Sequence, residues 1–278
     1  MQRSLVPLVL PALIVAGFAL AGYAPAGAAV SEWTDGPNVR MRLVAAEPNS
    51  AGGVNAAIEM ELAPGWHTYW RSPGEAGIPP MFDFSGSANL KSTMVGFPPP
   101  VRLDDGFAVT NIYTGRVVLP LTVERSDPGA PVTLAMKLDL GVCEEVCIPV
   151  TLEASLTMDA ADDGEAAAIV AEAVGKLPGG AQQGAFEIVD VRRTGGDDEE
   201  PVFEFKARAP DPAATEIFVE GPEGWYPDVP TPVGNEGNAV IYRVTFDRLG
   251  AKTPIAKAAI RFTVVSGGQA VEETVTLD

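Results

Sequence analysis

Two long runs in which apolar and polar residues alternate, Val132–Leu140 and Ile148–Met158, constrain this chain most, because a period of two fits a half-buried strand and not a helix. A tight turn separates them, so they read as the two arms of one hairpin. The only cysteines of the 278 residues, Cys143 and Cys147, stand at its end in Leu140-Gly-Val-Cys-Glu-Glu-Val-Cys-Ile-Pro149.

The same alternation recurs along the chain. Val39, Met41 and Leu43 form one phase; Val54, Ala56, Ile58, Met60 and Leu62 form a second; Val117, Leu119, Leu121 and Val123 form a third. Pro- and Gly-rich connections separate them, and the pattern implies an antiparallel sandwich. A helix is expected from a cap at Asp162 or Asp163 to Leu177, with Ile169, Val170, Ala173, Val174 and Leu177 on its apolar face and Pro178-Gly179-Gly180 ending it. Alternation resumes in Phe203, Phe205 and Ala207, in Val240, Tyr242, Val244 and Phe246, and in Ile260, Phe262 and Val264. The expected fold is all-β: two immunoglobulin-like sandwiches, residues 29–160 and 181–278, joined by a short helix within 161–180.

The N-terminus reads as an export signal. Arg3 is the only charge before an apolar stretch from Leu5 to about Gly22, and Ala26-Gly27-Ala28 follows as a small-residue cleavage site. An uncleaved anchor is the alternative. Residues 1–28 are therefore expected to be removed, leaving a periplasmic or secreted chain with no membrane insertion of its own. Their loss deletes Arg3 and no acid, which takes the formal charge from −18 to −19. That charge opposes nucleic acid and anionic lipid. No G-x-G-x-x-G before a helix, Walker motif, nucleophile elbow or H-E-x-x-H occurs, and no cofactor is expected.

The cysteine register follows from the alternation. Val132, Leu134, Met136, Leu138 and Leu140 take the core phase, so Cys143 falls on the other face; Ile148, Val150, Leu152 and Leu156 do the same in the second arm, placing Cys147 outward too. Residues opposed across an antiparallel pair have Cα atoms about 4.5–5.5 Å apart, within disulfide reach. In an oxidising compartment such a pair closes, yet so small a loop constrains the unfolded chain weakly. Three readings stand: a redox-active pair, a local structural clip, or half of a metal site. An outward disulfide is open to an incoming thiolate, and Glu144 and Glu145 disfavour thiolates beside it, which favours the disulfide form and a reducing couple. Zinc wants four ligands, and the chain offers two cysteines and one histidine. Copper(I) needs fewer soft ligands, with His67 or a methionine joining the cysteines, and stays open as a copper-handling alternative.

Further segments carry a resemblance: Gly65-Trp-His-Thr-Tyr-Trp-Arg-Ser-Pro-Gly74, Gly77-Ile-Pro-Pro80, Phe97-Pro-Pro-Pro-Val-Arg102, Asp105-Gly-Phe107, Ile112-Tyr113 and the cysteine hairpin. With them, residues from about 33 to 158 resemble the N-terminal periplasmic domain of the DsbD/ScsB thiol:disulfide interchange proteins, the ScsB-like branch most. The resemblance implies an immunoglobulin-like domain whose Cys143/Cys147 pair takes electrons from a thioredoxin-like domain and passes them to exported acceptors, in disulfide reduction, cytochrome c maturation or copper tolerance. It implies Cys147 as the cysteine joined to partners and Cys143 as the resolving thiol. It also implies an aromatic cap over the disulfide at Asp104-Asp-Gly-Phe-Ala108, with Phe107 as the cap and Asp105 as its acid, and His67 and Tyr69 near the cysteines. For Trp66, Tyr69 and Trp70 ordinary core packing competes with a site role, and for His67 a packed polar tip is the plainer reading. Two departures stand out. Three residues separate the cysteines, fewer than in the best-known members, and the chain reaches Asp278 without the membrane electron conduit or thioredoxin-like module, which are expected on separate chains.

Overall fold

The computed structural model describes residues 29–48, 54–158 and 164–278. The expected signal peptide and the expected helix caps Asp162 and Asp163 lie outside the described residues. The first part of the chain forms β1 (Thr34–Gly36), β2 (Val39–Pro48), β3 (Val54–Leu62), β4 (His67–Gly74), β5 (Met81–Asp83), β6 (Leu90–Val95), β7 (Val101–Asp104), β8 (Val109–Thr114), β9 (Arg116–Arg125), β10 (Val132–Cys143) and β11 (Cys147–Met158). After the helix α1 (Gly164–Gly175) come β12 (Gly179–Gly180), β13 (Glu187–Gly195), β14 (Val202–Arg208), β15 (Thr215–Glu220), β16 (Tyr226–Pro227), β17 (Thr231–Glu236), β18 (Ala239–Asp247), β19 (Ala259–Ser266) and β20 (Gln269–Thr276).

These strands make two sandwiches. In the first, a sheet ordered β1-β2-β3-β9-β6 faces one ordered β11-β10-β4-β8-β7, with β5 on β10. Their inward residues, including Met41, Leu43, Ile58, Leu119, Leu134, Leu138 and Leu152, form one core, and each fully buried aliphatic side chain contributes about 1.5–3 kcal/mol. In the second, β12-β20-β19-β15 faces β13-β14-β18-β16, with β17 on β18, around a core rich in phenylalanine: Phe186, Phe203, Phe205, Phe246 and Phe262. The alternating phases read from the sequence are the buried ones in both. In β3, however, Ala57 and Glu59 on the opposite phase are buried as well.

Helix α1 explains Ala57. The helix lies on the outer face of the first sheet, where Ala166 and Val170 pack with Val44 and Ala57. Its buried side is Ala166, Val170 and Ala173, and Val174, expected on the apolar face, is 48% exposed. The helix stops at Gly175, two residues short of the expected Leu177, and its buried face is set by contact with β2, β3 and β9. Glu59 is explained by two cations. Burial pushes its carboxyl up, but the guanidiniums of Arg116 at 2.6 Å and Arg42 at 2.7 Å outweigh that and hold it below the usual carboxylate range.

The two sandwiches meet along β4, β7 and β15. Trp70, fully buried, packs its ring against Phe218 at 5.6 Å between centroids, and Phe218 joins the core of the first sandwich. Arg71 forks onto Glu220, with bonds of 2.6 to 3.1 Å, and also pairs with Glu272. The bidentate fork on a part-buried carboxylate is the strong form of this pair. Trp70 is thus a core residue, as is Trp66 in part.

Candidate functional site

The β10–β11 ladder runs without a bulge from Val132 opposite Met158 to Cys143 opposite Cys147. The cysteines form a disulfide with Cα atoms 4.1 Å apart, across a three-residue turn of Glu144, Glu145 and Val146. The expected pairing is present. The expected exposure of both sulfurs is not: Cys147 is exposed, but Cys143 is only 1% exposed.

The burial of Cys143 is a local property of that end of the sheet. Lower on β10 the outward residue Lys137 faces solvent, but at Cys143 a small second cluster of Tyr69, Ile112 and Leu103 covers the outward face. The cover comes from β4, β7 and β8, which close on the hairpin end: His67 stands opposite Cys143 on one side and Thr114 on the other. A face that is outward for most of a strand is thereby inward at its tip.

Tyr69 connects the cover to the chemistry. Its hydroxyl lies 3.3 Å from Cys147 Sγ, and since a disulfide sulfur carries no proton, the phenol donates. The ring is held in a slot between Gly77 and Gly141. A Cβ on Gly141 would stand 3.3 Å from Tyr69 Cε2 and 3.2 Å from Ile78 Cβ. One on Gly77 would stand 2.4 Å from Tyr69 Cε1, and Gly77 also has φ +115°, which disfavours any side chain. His67 meets the other side of the ring edge-on, with centroids 5.6 Å apart.

The electrostatics keep both rings neutral. Burial, and secondarily the negative charge of Asp105, push the Tyr69 phenol above its usual pKa, so it stays protonated as a donor. Burial holds the His67 imidazole below its ordinary value, opposed in part by Asp105. Asp105 itself is held below the usual carboxylate range by the backbone N–H groups of Ala108 and Phe107, each donating to Oδ1 at 2.9 Å. That Asx-type turn shapes the tip between β7 and β8.

His67, Tyr69, Cys143 and Cys147 therefore come together, with Asp105 near enough to act on the two rings through its charge. Phe107 does not join them. It is 98% exposed at the hairpin tip, so it does not cover the disulfide in this structure; the turn around Asp105 aims it into solvent. Sequence reasoning did not single out Gly77, Gly141, Ile112 or Leu103 as site residues, although a glycine next to the exposed Ile78 and one inside β10 were the available signals. Among the described residues no three His, Cys, Asp or Glu side chains converge as a metal site, and no helix is long and apolar enough to cross a membrane.

Comparison with known proteins agrees with this geometry. Residues 40–158 match the model of the family described as thiol:disulfide interchange protein DsbD, N-terminal. Among curated proteins no sequence match is found. Among solved structures, the N-terminal periplasmic domain of ScsB from Proteus mirabilis superposes with a TM-score of 0.72 over 90% of this chain and 98% of its own, at 24% sequence identity, so the fold extends through both sandwiches. With a disulfide at the tip of its longest hairpin, the segment 40–158 belongs to the DsbD N-terminal family of thiol:disulfide interchange proteins.

Proposed function

We propose that the chain is an exported, periplasmic relay: a thioredoxin-like donor reduces the Cys143–Cys147 disulfide, and the resulting dithiol reduces exported acceptor proteins. A membrane electron-conduit protein supplies the donor, and residues 181–278, which hold no cysteine, form a second domain without thiol chemistry of their own. The observation that carries this reading is the asymmetry of the pair: residue Cys147 is exposed at the hairpin end, whereas Cys143 is 1% exposed.

In the forward step a donor thiolate attacks the exposed Cys147 Sγ, the intramolecular S–S bond breaks, and Cys143 leaves with the electron pair. The donor's second thiol then resolves the mixed disulfide. Two electrons and two protons pass to the relay, and the donor ends as a disulfide. Running the same chemistry onto an acceptor, Cys147 attacks and Cys143 resolves. Tyr69 donates to Cys147 Sγ and stabilises the thiolate whenever it is released. Val146, 70% exposed, adds an apolar contact beside Cys147 for a partner's groove.

The test is reduction by a catalytic amount of thioredoxin with its reductase and NADPH, followed by maleimide labelling. The relay reading expects full reduction with the fold retained, because a loop this short contributes only about 2 kcal/mol on the entropic model. Resistance to thioredoxin, or unfolding on reduction at 25 °C, contradicts it and favours a structural clip.

A further inference from the structure

Four of the 19 lysines and arginines of this acidic chain, Arg192, Arg193, Arg248 and Lys252, line one cavity of about 690 Å³ in the second sandwich. Only two acidic side chains, Asp198 and Asp278, share its wall. In a chain of net charge −18 that balance is reversed locally, and the volume is that of a small-molecule site. The sandwich holds no cysteine, so the cavity stands apart from the relay chemistry.

Arg248 is the cation least accounted for. It is 7% exposed and makes no ion pair among the described residues. Its Nη1 donates to the Asp198 carbonyl and its Nη2 to the carbonyls of Thr253 and, at 3.0 Å, Ala251, while the guanidinium stacks 4.7 Å from the centroid of Trp225. Its Nε, shielded from solvent, has no hydrogen-bond partner. Carbonyl dipoles satisfy donors but leave a whole charge in a desolvated wall, where an ion without a counterion is costly. An anion in the cavity offsets that cost.

Two of the other cations are free to meet one. Arg193 is taken, since its Nη1 donates to Asp198 at 2.9 Å. Arg192 lies 3.6 Å from Glu204, a carboxylate that Arg243 already holds at 2.8 Å. Lys252 is exposed, and neither it nor Asp278 makes an ion pair among the described residues. On the apolar side, Phe203, Ile255 and Leu277 give the same cavity a wall continuous with the core of the sandwich.

We propose that this cavity is a binding site for a small organic anion, a carboxylate or phosphate ester carrying an apolar group. Lys252 and Arg192 take the anionic end through charge-assisted hydrogen bonds, the buried charge of Arg248 strengthens the field there, and Phe203, Ile255 and Leu277 take the apolar end. The site gives the second sandwich a function of its own, independent of the disulfide.

The experiment is isothermal titration calorimetry of the full chain with phenyl phosphate, phenylacetate, inorganic phosphate and phenol. Phenyl phosphate or phenylacetate is expected to bind with a dissociation constant below about 1 mM, and the tighter of the two identifies the anionic group. Inorganic phosphate and phenol, each lacking one half of the ligand, are expected to bind at least about tenfold more weakly. Arg192 and Lys252 are exposed, so the double variant Arg192→Ala with Lys252→Ala keeps the fold and is expected to weaken binding at least about tenfold. Lys91→Ala, on the first sandwich, should bind as wild type does. No heat from either organic anion up to about 10 mM overturns the proposal. So does phenol or inorganic phosphate binding as tightly as the organic anions, or undiminished binding by the double variant.

Discussion

The Tyr69 hydroxyl donates to Cys147 Sγ at 3.3 Å, while the edge of the same ring lies against the β10 backbone at Gly141. One side chain thus contributes, with Ile112 and Leu103, to the burial of Cys143 and also donates to its exposed partner. Tyr69→Phe keeps the ring and removes the donor. The reduced variant is expected to react with iodoacetamide at pH 7 about fivefold more slowly than wild type, the worth of roughly one hydrogen bond to a charged sulfur, with its melting temperature changed little. An unchanged alkylation rate would separate Tyr69 from the chemistry and leave it as packing.

Gly77 makes the slot that holds that ring. Gly77→Ala places a Cβ at 2.4 Å from Tyr69 Cε1 on a backbone at φ +115°, so the ring or the Gly77–Pro80 segment must move. The expected cost is about 1–3 kcal/mol in chemical denaturation, together with greater exposure of Cys143. Denaturation curves that superpose on wild type would show that the slot is not tight.

Stability near neutral pH reports on His67, the only histidine in the chain. Its folded-state pKa is lowered by burial, so between that value and the unfolded value of about 6.5 the unfolded chain binds more protons. Stability is therefore expected to rise with pH through this window and to fall as the solution is acidified below about pH 6.5. His67→Gln should flatten that part of the melting-temperature profile. An equally steep decline in the variant would assign the dependence to other groups.

How much of this was legible in the sequence depends on distance along the chain. The β10–β11 register was readable because a period of two needs only neighbours, and the Cys143–Cys147 pairing came with it. The burial of Cys143 was not, because its cover comes from Tyr69, Leu103 and Ile112, 31 to 74 positions away and on three other strands. His67 and Tyr69 were placed near the cysteines by motif resemblance, which carries spatial information that periodicity lacks. Phe107 was placed by the same route and is 98% exposed instead, since its position depends on the turn at Asp105 rather than on the motif. The docking of α1 on Val44 and Ala57 was hidden because those residues read as the polar phase of their strands.

The central claim is that the pair works as a relay through the exposed sulfur, and covalent trapping tests it most directly. Cys143→Ser leaves Cys147 exposed with nothing to resolve a mixed disulfide; Cys147→Ser leaves a thiol that is nearly inaccessible in the folded protein. Both variants are expressed with their export signal, and periplasmic extracts are run on non-reducing gels with mass spectrometry of the adducts. The account predicts abundant adducts of Cys143→Ser with thioredoxin-fold proteins and few of Cys147→Ser. Equal trapping by the two would contradict the assignment of Cys147, and no trapping by either would contradict the relay.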